Sequence, residues 1–219
     1  MDLLFDGTSD APLTVALAHG AGAPMDSPGM SALARGLSSR GFRVARFEFP
    51  YMRRRREGGS RGGAPDRAPV LEATWLEVIE QLGGGRDLVI GGRSMGGRIA
   101  THVADGAGVR GVLCFAYPFH PPGQLHKLRT AHLAGLRTPT LIVQGTRDEF
   151  GNREEVAEYA LAPSIRLLWL DGADHSYRPA KGSGTTERQH VERAVEAAAE
   201  FARGLARPEN DPPASVEAP

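Results

Sequence analysis

The fold is decided by one stretch of the sequence, Leu88-Val89-Ile90-Gly91-Gly92-Arg93-Ser94-Met95-Gly96-Gly97. Its first three residues predict a buried strand, and the residues that follow, Arg98 to Val103, predict a helix. Between them, the pattern Gly92-x-Ser94-x-Gly96 places a serine in a sharp strand-to-helix turn, where only small neighbours fit. The hydroxyl of Ser94 is therefore expected to project from the edge of a sheet, above the positive end of the following helix.

A glycine-rich turn between a strand and a helix can also bind phosphate, or bind nothing. The phosphate-binding pattern G-x-x-x-x-G-K-[ST] does not occur in the sequence, and no G-x-G-x-x-G opens the first helix. The context therefore favours a serine that is presented for chemistry.

On both sides of this turn, short apolar runs alternate with stretches of helical periodicity. This alternation is typical of a mostly parallel sheet with helices on both faces, an α/β fold of three layers. The predicted strands are Leu13–Ala18, Arg43–Phe49, Asp87–Gly91, Val109–Tyr117, Thr140–Gln144 and Arg166–Leu170. Amphipathic helices are predicted from Leu71 to Leu82 and from Val191 to Leu205. We expect a single domain over residues 1–206 and a disordered tail over residues 207–219.

The composition excludes several classes of protein. The 219 residues contain 26 basic and 26 acidic side chains, so no net charge attracts nucleic acid or an anionic membrane. The first long apolar run, Leu13 to Ala18, is too short for a signal sequence or a membrane span. The single cysteine, Cys114, favours a reducing compartment. We expect a soluble, cytoplasmic protein that binds neither nucleic acid nor membranes.

Two further residues occur where a serine nucleophile needs them. A serine hydroxyl requires a base within hydrogen-bond distance, and the base must be oriented by an acid. Asp148 follows the predicted strand Thr140–Gln144, and His175 follows the predicted strand Arg166–Leu170. Ser94, Asp148 and His175 are therefore the candidate catalytic residues. Glu149 is an alternative acid, whereas Asp171 and Asp174 more naturally shape the turn before His175. The histidines that fall in or beside predicted helices are interpreted as structural; they are His102, His126, His132 and His190.

Acyl transfer also needs donors for the oxyanion of the intermediate. One donor normally comes from the residue after the nucleophile, here the backbone N–H of Met95. The other is expected from the turn His19-Gly20-Ala21-Gly22, which follows the first predicted strand. We predict that the N–H groups of Ala21 and Met95 form the oxyanion hole, with His19 anchoring the turn.

These motifs resemble the α/β-hydrolase superfamily over nearly the whole chain, in particular its small lidless serine hydrolases. The narrower similarity is to dienelactone-hydrolase-like proteins and to the family of the testis-expressed hydrolase-like protein and a hydrolase-like subunit of a histone-acetyltransferase complex. It is carried by Ala18-His19-Gly20-Ala21-Gly22, Phe47-Glu48-Phe49-Pro50-Tyr51, Gly92-Arg93-Ser94-Met95-Gly96-Gly97, Tyr117-Pro118-Phe119-His120-Pro121-Pro122-Gly123 and Gly172-Ala173-Asp174-His175. The resemblance implies a sheet of about six to seven strands and the triad Ser94, Asp148 and His175. The chain departs from the superfamily pattern at its first clear strand, where we expect the leading hairpin to be missing or reduced.

Two segments beside predicted strand ends bear on the substrate. Only about two dozen residues separate Tyr117 from Thr140, which leaves no room for a large cap. Tyr51, Phe119 and His120 are candidate substrate contacts, although the last two can equally belong to a rigid, proline-fixed rim. The segment from Tyr51 to Ala68 is predicted to be a loop.

That loop contains Arg53-Arg54-Arg55-Arg56. In a chain whose only lysines are Lys127 and Lys181, this run is interpreted first as solvated. The alternative is that it favours an anionic substrate or an acidic partner.

The expected function is hydrolysis of a carboxylic ester or thioester of a small or extended acyl substrate, with no cofactor. No C-x-x-C, H-E-x-x-H or calcium-loop pattern occurs, so no metal site is predicted. An interaction module on a dormant hydrolase scaffold is the alternative from a different class. Lyase or cofactor-free peroxidase chemistry on the same scaffold stays open.

Overall fold

The structure is a computed structural model, and it describes residues 1–58 and 64–206. The predicted tail, 207–219, lies outside the described residues, as does part of the predicted loop. The strands are β1 (Leu4–Asp6), β2 (Thr14–Ala18), β3 (Arg43–Phe47), β4 (Leu88–Arg93), β5 (Gly111–Phe115), β6 (Thr140–Gly145) and β7 (Ile165–Leu170). The helices are α1 (Pro28–Ser38), α2 (Pro50–Arg56), α3 (Ala68–Gln81), α4 (Met95–Ala107), α5 (Arg153–Ala157) and α6 (Glu187–Leu205), with a 3-10 turn at Leu133–Gly135.

The strands form one 7-stranded sheet in the order β1-β3-β2-β4-β5-β6-β7. All neighbouring strands are parallel except β1, which runs antiparallel to β3. The predicted mostly parallel α/β sheet is therefore confirmed. Because the strands from β2 to β7 run the same way, the residues that follow their carboxyl ends meet at one edge of the sheet.

Helices cover both faces of the sheet and create two apolar cores. Alternate residues of β2 point to opposite faces, so Ala16 packs with α3 and α4, whereas Val15 and Leu17 pack with α1 and α6. Trp75 of α3 is fully buried in the first core, with its ring 4.6 Å from that of Phe47. Burial on both faces explains why most predicted strands are continuous apolar runs.

The arginine run does not lie in a loop, contrary to the sequence prediction. Arg53 to Arg56 form the last turn of helix α2, which begins at Pro50 because proline suits the first position of a helix. Two of the four arginines, Arg54 and Arg56, are also paired with acids rather than only solvated. Arg56 contacts Glu48 at 2.6 Å and Asp26 at 2.8 Å, and Arg54 contacts Asp66 at 2.6 Å.

No cap covers the sheet between β5 and β6. Over that connection the described chain contains only the short 3-10 turn Leu133–Gly135. Among the described helices, none is long and apolar enough to cross a membrane.

Candidate active site

Ser94 occupies a strained turn between β4 and α4. Its backbone has φ 49° and ψ −116°, a conformation that side-chain-bearing residues rarely adopt. A hydrogen bond of 2.9 Å from the Ser94 N–H to the carbonyl of Phe115 holds the turn against β5. The glycines are required by space, since a Cβ at Gly92 would lie 2.1 Å from the carbonyl oxygen of Ala18 and one at Gly96 would lie 2.5 Å from it.

The three candidate catalytic residues come together at the carboxyl edge of the sheet. His175 Nε2 lies 2.9 Å from Ser94 Oγ. On the other side of the ring, His175 Nδ1 lies 2.8 Å from Oδ2 and 3.0 Å from Oδ1 of Asp148. The carboxylate thus fixes the proton on Nδ1 and leaves Nε2 free to accept the serine proton. Glu149, the alternative acid, is exposed.

Asp148 is fully buried and surrounded by donors. Oδ1 accepts the backbone N–H of Phe150 at 2.8 Å, and Oδ2 accepts Nε2 of Gln144 at 2.9 Å. Burial raises the pKa of Asp148, whereas the hydrogen bond and charge of His175 and the Phe150 N–H act in the opposite direction. These donors favour the ionised acid that a catalytic histidine requires.

Gln144 is a further residue of the candidate site, and it is not predicted from the sequence. Its Nε2 also donates to the carbonyl of Gly151 at 3.0 Å, and its Oε1 accepts the N–H of Tyr117 at 2.8 Å. The amide therefore joins the ends of β5 and β6 to the acid. A signal was available, since Gln144 is a polar residue in an otherwise apolar strand, four positions before Asp148.

The loop that carries His175 is held from three sides. Arg93 Nη2 donates to the His175 carbonyl at 2.6 Å, and the Phe150 ring lies 4.1 Å from the imidazole. Tyr177 adopts a left-handed φ of 64°, and its hydroxyl donates to the Val143 carbonyl at 2.9 Å. Asp174 Oδ1 accepts the N–H groups of Ser176 and Arg178, so this acid shapes the turn, as the sequence predicts.

The turn after β2 lies beside Ser94 with its donors available. Among the described residues, the N–H groups of Ala21 and Met95 have no acceptor. His19 is buried and anchors the turn, because its Nε2 accepts the Phe49 N–H at 3.1 Å and its Nδ1–H donates to the Gly20 carbonyl at 2.7 Å. Burial lowers the pKa of His19, which keeps it neutral in this tautomer.

Tyr51 has a different place from the expected substrate contact. It is buried, and its hydroxyl donates to the carbonyl of Ala21 at 3.1 Å and approaches that of Gly20 at 3.4 Å. Tyr51 lines neither of the cavities beside Ser94. It holds the back of the Ala21 turn instead, because helix α2 carries its side chain beneath that turn.

Phe119 and His120 are also turned away from the cavities beside Ser94. Phe119 is fully buried against Tyr117, with 4.7 Å between the ring centres. His120 is 1 % exposed, and its Nε2 contacts Glu155 at 3.2 Å. The physical reason is that β5 ends at Phe115, so the chain has already turned back into the core at these residues. Pro118 lines the site in their place.

Two cavities open beside Ser94. The first, called the larger cavity, has a volume of about 510 Å³ and is lined by the Ala21 turn, the start of α1, Phe150 and His175. The second, called the smaller cavity, has about 280 Å³ and is lined by Ser94, Met95, Arg98, Arg129 and Phe150, among others. Another cavity, of about 580 Å³, lies between β6, β7 and α6 and contains no residue of this site.

Known proteins share both the sequence pattern and the architecture. Residues 11–203 match the family described as alpha/beta hydrolase domain. A protein of the alpha/beta hydrolase superfamily from Xanthomonas campestris pv. campestris is 27 % identical, with a TM-score of 0.63 over 89 % of this chain and 99 % of that chain.

Two structures of lower identity share the fold. An alpha-beta serine hydrolase homologue from Coxiella burnetii is 21 % identical, with a TM-score of 0.66 over 93 % of this chain and 91 % of that chain. A serine hydrolase without lid from Xanthomonas campestris is 18 % identical, with a TM-score of 0.60 over 93 % of this chain and 87 % of that chain. With a matched segment that spans nearly all of its described residues, the chain belongs to the alpha/beta hydrolase domain family.

Proposed function

We propose that this protein is a serine hydrolase that cleaves carboxylic esters or thioesters through an acyl-enzyme. The observation that carries the proposal is the continuous hydrogen-bonded chain from Ser94 Oγ through His175 to Asp148. Membership of the family supports hydrolase activity. The strained backbone of Ser94 is further support, because such strain is typical of residues held in position for function.

In the first half of the reaction, His175 Nε2 takes the proton of Ser94 as Oγ attacks the substrate carbonyl carbon. The N–H groups of Ala21 and Met95 donate to the oxygen that becomes negative. When the tetrahedral intermediate collapses, the bond to the leaving alcohol or thiol breaks, and His175 returns the proton to that leaving group.

In the second half, water replaces the leaving group. His175 Nε2 takes a proton from the water as its oxygen attacks the acyl-enzyme, and the same proton returns to Ser94 Oγ when the acid product leaves. Asp148 remains ionised and stabilises the imidazolium in both halves. The two cavities lined by Ser94 provide room for the acyl and leaving groups.

The test is to treat the purified protein with a fluorophosphonate probe and to locate the adduct by mass spectrometry. We expect labelling at Ser94 in the wild type, none in Ser94→Ala, and a large reduction in His175→Ala. Hydrolysis of short 4-nitrophenyl esters should be lost in the same two variants, with circular dichroism showing that both are folded. A folded wild type that is neither labelled nor active would refute the proposal and favour the dormant scaffold.

A further inference from the structure

The smaller cavity beside Ser94 is lined by two arginines that have no acidic partner among the residues that the structure describes. Arg98 lies on α4, one helical turn after the nucleophile, and its N–H donates to the Ser94 carbonyl at 3.0 Å. Arg129 comes from the connection between β5 and β6. Both line the cavity together with Ser94 and Met95. Within residues 1–58 and 64–206, neither guanidinium forms an ion pair.

Arg98 is the more unusual of the two because part of its charged group is buried and, among the described residues, lacks a hydrogen-bond partner. Its Nε is inaccessible to solvent and has no hydrogen-bond partner among the described residues. Leaving a charged donor desolvated and unpaired is costly. Burial lowers the pKa of Arg98 and the charge of Arg129 lowers it further, whereas Tyr117 and Glu72 act in the opposite direction without cancelling the effect.

The two acidic groups near this pair, Asp66 and Glu72, have other partners. Asp66 also lines the cavity, but its oxygens accept Arg54 Nη2 at 2.6 Å and the Tyr51 N–H at 2.8 Å. Glu72 contacts His102 Nδ1 at 2.7 Å. The phenol of Tyr117 is no counter-ion, since burial raises its pKa. The cavity thus presents two like charges that repel each other.

The positions of the two arginines are fixed by the backbone. Arg98 is held by the regular hydrogen bonding of α4. Arg129 is anchored on both sides, because its N–H donates to the Phe119 carbonyl at 2.8 Å and its carbonyl accepts the Tyr117 hydroxyl at 2.8 Å. This anchoring fixes the points at which the two side chains leave the backbone, beside the cavity that both line.

We propose that Arg98 and Arg129 bind a carboxylate carried by the substrate, so that the preferred substrates are esters or thioesters with a second, anionic end. The inference rests on the proposed hydrolase function. A guanidinium matches the two oxygens of a carboxylate and pairs with them by charge-assisted hydrogen bonds. Leu71, Ala68, Pro118 and Phe150 supply apolar walls for a short spacer between that carboxylate and the scissile carbonyl.

The volume of the smaller cavity sets the scale of that group. At about 280 Å³ this cavity has little more than half the volume of the larger cavity, about 510 Å³, which suits a short dicarboxylic chain there better than a long acyl chain.

The kinetic test compares esters that differ only in the charge. Mono-4-nitrophenyl adipate is paired with 4-nitrophenyl hexanoate, where a methyl group replaces the carboxylate on the acyl side. For the alcohol side, 4-carboxyphenyl hexanoate is paired with 4-methylphenyl hexanoate. We expect kcat/KM of at least one charged ester to exceed that of its neutral partner about tenfold or more, the scale of one charge-assisted hydrogen bond.

Substitutions of the two arginines test whether the preference for the charged ester depends on them. We expect the charged-to-neutral ratio to fall about tenfold in Arg98→Gln and in Arg129→Gln, and to be partly restored in Arg98→Lys. The ratio is internal to each sample, so partial unfolding cancels. Arg35→Gln, at an exposed position on α1, is the matched control and should keep the wild-type ratio. A wild-type ratio near or below one for both pairs, or an unchanged ratio in both glutamine variants, would overturn the proposal.

A binding measurement separates this inference from the proposed function. Calorimetry with adipamate and with its neutral counterpart hexanamide requires no turnover. Binding of adipamate alone that is lost in Arg98→Gln would support the anion site even if no ester were hydrolysed. Conversely, hydrolysis of the neutral esters without preference for charge, and without adipamate binding, would leave the hydrolase function standing and reject the anion site.

Discussion

Gln144 donates to Asp148 across 2.9 Å inside the protein, and this hydrogen bond links the strand β6 to the acid that follows it. Replacing Gln144 by Met removes the donor and leaves the Tyr117 N–H and the Gly151 carbonyl without their partner. We expect a stability loss of about 1–3 kcal/mol for each buried group left unpaired. The carboxylate is also free to shift, so kcat should fall about ten- to a hundredfold with little change in KM.

Urea unfolding and steady-state kinetics on a 4-nitrophenyl ester measure the two effects. Gln81→Met is the matched control, because Gln81 is exposed at the end of α3. If Gln144→Met lost stability but retained the wild-type kcat, Gln144 would be a purely structural residue.

Asp148→Asn tests the acid directly. The amide is nearly isosteric, but it can present a donor to His175 Nδ1 and thereby stabilise the wrong tautomer. We expect kcat to fall by about four orders of magnitude, as is typical when a triad acid becomes an amide. Kinetics on a short ester, with near-ultraviolet circular dichroism as the check of folding, provides the measurement.

Glu149→Gln is the control for the loss of an acid at this turn, since Glu149 is adjacent and exposed. Its rate should stay within about twofold of the wild type, because a screened surface charge contributes little. The reverse result, with Glu149→Gln inactive and Asp148→Asn active, would reassign the acid.

Tyr51→Phe tests whether the back of the Ala21 turn must be held. The substitution removes the hydroxyl that donates to the Ala21 carbonyl at 3.1 Å and retains the ring. With the turn less fixed, the Ala21 N–H is less well placed for the oxyanion. We expect kcat to fall severalfold to tenfold, well short of the hundredfold or greater loss for a missing donor.

The matched control is Tyr159→Phe, at a partly exposed tyrosine that packs on Phe119. An unchanged kcat in Tyr51→Phe would show that the other contacts of His19 and its neighbours hold the turn alone.

The sequence predicts the parallel sheet and the placement of the candidate triad because both depend on local patterns. A buried strand is visible in the sequence as an apolar run, and Ser94, Asp148 and His175 each lie within five residues of the end of such a predicted strand. The edge strand β1 is not predicted from the sequence. Its three residues, Leu4 to Asp6, are too few to show an apolar run and are mostly exposed.

The residues that were misplaced depend on tertiary contacts. Phe119 and His120 follow a strand end, as the candidate catalytic residues do, yet the chain folds inward there and buries both. Pairing across the structure likewise determines the surroundings of the arginine run, since Asp26 lies far from Arg56 in the sequence. No local pattern contains that information.

Two glycines of helix α4, Gly96 and Gly106, should respond in opposite ways to substitution by alanine. A Cβ at Gly96 would lie 2.5 Å from the Ala18 carbonyl oxygen, whereas a Cβ at Gly106 would meet nothing within 4 Å. We therefore expect Gly96→Ala to unfold the protein or to cost several kcal/mol, since the neighbour is backbone and cannot move aside. Gly106→Ala should stabilise by up to about 1 kcal/mol, the difference in helix propensity. Thermal unfolding measures the stability of the two variants. If Gly96→Ala were as stable as Gly106→Ala, the close contact between Gly96 and the Ala18 carbonyl would be contradicted.

His132 makes the stability of the protein depend on pH in mildly acidic solution. Burial lowers its pKa from 6.5 to about 4, with smaller contributions from His102 and Arg98. Between these two values the unfolded chain binds a proton that the folded chain does not, so stability falls as the pH is lowered through this range. His132→Gln removes the titrating group, and its amide can reach the position of the ring Nε2, which lies 2.8 Å from Thr101 Oγ1. We expect the free energy of unfolding of the variant to fall less steeply than that of the wild type between pH 6.5 and 4. The two slopes should differ by at most the contribution of one proton, which is about 1.4 kcal/mol per pH unit. Urea unfolding at several pH values measures both slopes. The lowered pKa of His19 contributes equally to the wild type and the variant, so it does not affect the difference between them. Identical slopes would mean that His132 is already protonated in the folded state.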